Sequence, residues 1–142
     1  MIVKSETYTF LESVERIDIE LENKLIEKQQ WHDLALKITA SMDGVRVQSS
    51  SAKDSMGMAV SRCVDAEAEI DREVERLVAR KKEVTQTIEQ LYSPIEYDVL
   101  HKRFIQHKTL QEIADYYKKD YEWAKDTSKR AVCHVQAILS KK

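Results

Sequence analysis

The chain has 142 residues, 34% of them charged and 42% apolar, with only two Gly and one Pro. Strand-and-turn folds need more punctuation than that, so composition excludes most β architectures and points to an all-α fold. A chain of this length buries roughly 68–70% of its unfolded surface without staples, and a net charge of −2 selects no class of partner.

The charge is unevenly divided. Up to Pro94 the chain carries 13 Lys+Arg against 18 Asp+Glu, and beyond it 10 against 7. An acidic body with a basic end is a mild nucleic-acid signature. Cys63 and Cys133 lack CxxC spacing and read as two reduced cysteines on helices, with a redox pair as the alternative. No run of ~18 apolar residues offers a membrane span. The N-terminal MIVKSETYTFLESVERIDIE has acids where a signal peptide needs an apolar core. A cytoplasmic protein without membrane contact is expected.

In chain order, Thr9-Phe10-Leu11-Glu12 has capping-box spacing and predicts a helix from there to about Ala40. Leu11, Val14, Ile17, Leu21, Leu25, Trp31, Leu34 and Ile38 form its expected inner stripe. The segment SMDGVRVQSSSAKDSMG, with both glycines and five serines, reads as a connector near 41–55, about 10 to 14 residues long. A second long helix follows. Val60, Cys63, Glu67, Ile70, Val74, Leu77, Lys81, Val84, Ile88 and Leu91 alternate steps of three and four, a heptad seam. Two such helices joined by one connector predict an antiparallel hairpin over residues 1–92. In that pairing Glu67 would lie near Lys28 and Lys81 near Asp18. The alternative is that both polar residues reach solvent at the seam's edge.

Ser93-Pro94-Ile95-Glu96 combines an N-cap Ser, Pro at the first helical position and Glu at the third. It opens a module over residues 93–142. IEYDVLHKRFIQ predicts a short helix with Val99, Leu100, Phe104 and Ile105 inward. Thr109-Leu110-Gln111-Glu112 is another capping box, opening a helix with Ile113, Ala114 and Tyr117 inward. Asp120 caps a last helix, to about Leu139, with Ala124, Thr127, Ala131, Val135 and Ile138 inward. Small residues on both helices permit the close, sharply angled crossing of a helix-turn-helix. In that arrangement Tyr121, Glu122, Lys125, Asp126 and Lys129 lie opposite the buried stripe, where a major groove would offer base edges. Lys108, Thr109, Lys118, Lys119 and Arg130 are placed for phosphates. The alternative is a helical surface of mixed charge.

EYDVLHKRFIQHKTLQEIADYYKKDYEWAKDTSKRAV resembles region 4 of bacterial sigma-70 factors. The likeness rests on Val99-Leu100, Arg103-Phe104, Thr109-Leu110, Glu112-Ile113-Ala114, Asp120, Ala124 and Ala131-Val132, at the family's spacing. The whole chain also resembles a family of small phage and prophage proteins that join such an end to an N-terminal helical segment. Phage late-gene activators of the ArpU and RinA kind look like relatives. The resemblance implies sequence-specific binding of double-stranded DNA, transcription control and contact with host RNA polymerase, in the cytoplasm of a bacterial host. It places base reading on Tyr121, Glu122, Trp123, Lys125 and Asp126. The chain departs from the region-4 pattern at Lys118, where Gly is usual, and at Lys119, where an apolar residue is usual. Tyr121 and Trp123 stand where arginines are common.

Several readings stay open. Trp123 either touches DNA or packs under the turn. Glu122 either faces a base or complements the helix dipole. Lys125 and Lys129, one turn apart, are the foremost candidates for DNA contact. The hairpin seam is satisfied within one chain or across a homo-oligomer. The four histidines show no metal-ligand spacing, and no nucleophile has an adjacent base. Neither a metal, a cofactor nor an enzyme is expected. Two other functions compete: an interaction protein whose region-4-like end binds RNA polymerase or a host regulator, and a small DNA-packaging subunit.

Overall fold

The computed structural model describes residues 2–44 and 50–141, and among these every regular element is helical. Helices α1 (Lys4–Gly44) and α2 (Ser50–Glu89) form the long hairpin. Helix α3 (Pro94–Leu100) runs into a π-helical turn at His101–Ile105, and α4 (Leu110–Tyr117) and α5 (Tyr121–Ser140) follow. The all-α hairpin expectation is met, with corrections.

Helix α1 begins at Lys4, so Thr9 is not its cap. The Thr9 hydroxyl instead donates to the Ser5 carbonyl at 3.0 Å, inside the helix. Tertiary contacts hold the extra turn: the Ile2 carbonyl accepts from Gln136 Nε2 at 3.0 Å, and Thr7 is fully buried. The connector is also shorter than serine and glycine content suggests. Both helices run into it, and the rest of that stretch, residues 45–49, lies outside the described residues.

The chain divides into two compact units, Met1–Asp18 with Val78–Lys142, and Ile19–Leu77. The sequence drew its boundary at 93 instead. The reason is a core that joins distant segments: Leu11 and Val14 of α1 and Val84 and Ile88 of α2 cluster with Leu100, Phe104, Val132 and Val135. A composition change at Pro94 carries no trace of those contacts. Within this unit Lys81 Nζ donates to Asp18 Oδ1 at 2.6 Å, the pairing expected from the seam.

In the other unit the seam shows Cys63, Ile70 and Leu77 buried on α2. Lys28 pairs with Asp71 at 2.7 Å, and Glu67 lies 3.2 Å from His32, one turn away from the expected Glu67–Lys28 partners. On α1, Leu25, Trp31 and Leu34 were expected inward and are exposed. Lys24 and Lys28 take the contacts with α2 there, pairing with Glu73 at 2.8 Å and Asp71 at 2.7 Å.

Candidate nucleic-acid interface

Local chemistry builds this site. The Ser93 hydroxyl accepts from the Glu96 amide, and Pro94 occupies the first helical position, so α3 starts where its cap places it. The Glu96 carboxylate turns to His134 Nδ1 on α5, 2.5 Å away. At α4 the capping box is complete. Thr109 Oγ1 accepts from the Glu112 amide at 3.1 Å, and Glu112 Oε1 accepts from the Thr109 amide at 3.2 Å.

The turn between α4 and α5 is only Lys118, Lys119 and Asp120. Lys118 adopts the left-handed conformation, φ 57 and ψ 42. The Lys119 amide donates to the Ala114 carbonyl at 2.9 Å and the Lys118 amide to Asp115 at 3.2 Å, the paired bonds of a Schellman motif. Gly is the usual residue there because a Cβ costs roughly 1–2 kcal/mol in this region. The chain thus makes the backbone turn of a helix-turn-helix without the glycine. Asp120 then restarts the helix, accepting from the Trp123 amide at 2.8 Å.

Fully buried Ala114 and Ala124, with Val99 and Ile113, form the core under the turn. Helix α5 packs on both α3 and α4. Ser128, Val132 and Leu139 are buried in addition to the five positions expected on α5, of which Ile138 is only half-buried. Arg103 Nη1 donates to the buried Ser128 Oγ at 2.7 Å and ties the π turn to α5. Sequence reasoning missed this link, although Ser128 lies one turn beyond Ala124 on the inner face.

A second missed contact supports α4. The Tyr117 hydroxyl donates to Asp98 Oδ2, and Lys102 Nζ donates to Asp98 Oδ1 at 3.0 Å. Burial raises the Asp98 pKa, but the two donors outweigh it and hold the carboxyl below its ordinary value. Burial and the same hydrogen bond push the Tyr117 hydroxyl well above its usual range.

Lys108, Thr109, Lys118, Lys119, Tyr121, Glu122, Asp126, Lys129 and Arg130 are exposed, and Lys125 and Trp123 are half-buried. Glu122, Lys125, Asp126 and Lys129 recur at helical spacing and share one face of α5. Six of the eleven candidates are basic and two acidic, so the set is positive overall. Thr109 is exposed, but its hydroxyl and amide are engaged with Glu112. Trp123 packs against Tyr117, ring centroids 5.2 Å apart, beside the small core of the turn.

Among the described residues no group of His, Cys, Asp and Glu is placed to hold a metal ion, and no helix is long and apolar enough to cross a membrane. The chain matches no protein-family model, and neither curated proteins nor solved structures give a match.

Proposed function

We propose that this chain is a phage-type transcriptional regulator. In this reading it binds specific double-stranded DNA through α4 and α5, while the hairpin serves oligomerisation or partner binding. It is not an enzyme and uses no cofactor; it acts in the cytoplasm of a bacterial host and contacts the host RNA polymerase. The observation that carries the reading is the turn itself. A left-handed Lys118 and a capping Asp120 start α5 three residues after α4, leaving a stripe from Glu122 to Lys129 that is exposed except for the half-buried Lys125. A helix displayed in this way can enter a major groove ~12 Å wide, with flanking lysines on phosphates. The resemblance to sigma region 4 points the same way.

A second reading is favoured by Glu122 and Asp126, which put two carboxylates on that stripe. Carboxylates repel phosphate, although one can accept from a cytosine amino group. A basic surface on RNA polymerase or a host regulator would suit them. Duplex binding followed by fluorescence anisotropy over a salt series separates the two. DNA binding that weakens with salt, and weakens further in Lys125→Ala/Lys129→Ala, supports the first reading; no duplex binding at low salt supports the second.

A further inference from the structure

The unit Ile19–Leu77 leaves one helix almost uncovered. Between Ile19 and Ser41, α1 contributes no buried side chain, while Leu25, Ile26, Trp31, Leu34 and Leu36 are between 40% and 57% exposed.

One flank of this unit is shaped for association. Two concavities lie along it, each lined by both helices, and a third, lined by α1 alone, adjoins them at Gln30, Leu34 and Lys37. Together they run from Lys24 and Glu73 to Ser41 and Ser55. On the α1 side Trp31, Leu34 and Ile38 stand at helical spacing as a ridge. On the α2 side Ala59 and Ala66, seven residues apart, leave a trough of equal length.

We propose that this flank is where a second copy of the chain docks, making a four-helix bundle from two hairpins. The proposal deepens the reading of the hairpin as an association element and is independent of DNA binding. Ridge and trough lie on the same flank, so a twofold axis along the hairpin sets each copy's α1 ridge against the other's α2 trough. Size agrees with this occupant. Lys24 to Ser41 spans about 26 Å of helix, and two helices side by side present about 20 Å, on the order of 500 Å² in projection. Over both partners that is about 1,000 Å², the total at which a specific interface begins. Charge agrees as well. The α1 side of the groove carries Lys24 and Lys37 beside Glu27 and Asp33, the α2 side carries Glu69 and Glu73, and the twofold sets Lys24 of each copy toward the acids on α2 of the other.

The test is sedimentation equilibrium of the full chain without DNA, with far-ultraviolet circular dichroism on every variant. The wild type should run at twice its 16.6 kDa. Leu34→Lys and Ala66→Glu should each weaken the dimer by roughly 30-fold or more while keeping helical content. Leu25→Lys, half a turn round α1 from Leu34 and also exposed, should leave it intact. A monomeric wild type, a particle larger than two chains, or a dimer indifferent to both flank variants would overturn the proposal. DNA binding by a monomer would leave the proposed function standing while refuting this one.

Discussion

His107 Nε2 lies 2.7 Å from Asp18 Oδ2, joining the loop before α4 to the first helix across 89 positions of sequence. Lys81 holds the other oxygen, so one carboxylate gathers α1, α2 and the entry to the helix-turn-helix. Burial raises the Asp18 pKa, but hydrogen bonds from Lys81 and His107 outweigh it and lower the carboxyl below 3.8. A lowered carboxylate contributes stability that is full above its unfolded pKa and is lost as pH falls through the folded value. Asp18→Asn should therefore destabilise the protein at neutral pH and flatten the loss of stability below about pH 4. Partial exposure of all three groups keeps the cost near ~1 kcal/mol. Urea melts of both proteins at pH 7 and pH 3 check the sign.

Lys118→Gly should stabilise the fold by about 0.5–1 kcal/mol, because glycine adopts the left-handed turn without the Cβ penalty. If Lys118 also meets a phosphate, the same variant should bind DNA more weakly and lose about one unit of salt slope. Denaturant melts and salt titrations read the two effects separately. A destabilised Gly variant would contradict the conformation assigned to the turn.

Tyr117→Phe should cost about 1–2 kcal/mol, since Asp98 keeps Lys102 but loses its other donor. The alkaline behaviour carries its own sign. A hydroxyl whose pKa is raised above 10.0 contributes stability that is full below pH 10 and is lost as pH rises further. Ultraviolet titration should show a tyrosine ionising late in the wild type, a step absent from Tyr117→Phe. An unchanged titration would remove Asp98 as its partner.

Asp120→Ala should cost about 1 kcal/mol by freeing the Trp123 amide that Asp120 caps. The loss should appear as faster amide exchange in the first turn of α5, with slower exchange persisting around Ala131. Equal loosening along the whole helix would mean that the cap is not what starts it.

What the sequence disclosed is mostly what chemistry within four residues decides. Ser93, Thr109 and Asp120 announce helix starts through their own hydrogen bonds, and all three cap as expected. Thr9 has the same spacing and fails, because Gln136 holds Ile2 and lets α1 start earlier. The Asp18–Lys81 pair was legible from the heptad seam, whereas Lys28 meets Asp71 because a one-turn shift changes partners without disturbing the apolar pattern. The candidate positions on α5 could be placed by periodicity, and most are exposed. The Arg103–Ser128 bond, the π turn and the core shared by Leu11 and Val135 depend on distant packing that no local spacing encodes.

Salt dependence gives the DNA reading a magnitude. Neutralising four to six phosphates predicts a slope of log K against log salt of roughly −4 to −5, and Lys125→Ala/Lys129→Ala should make it shallower by up to about two units. An unaltered slope would move the phosphate contacts to other residues.

The most direct measurement is selection of binding sites from random duplex DNA at two salt concentrations, with Lys125→Ala/Lys129→Ala alongside. The wild type should enrich one defined motif, and the variant should lose it. Absence of enrichment even at low salt would contradict the DNA reading and make the exposed face of α5 a surface for protein.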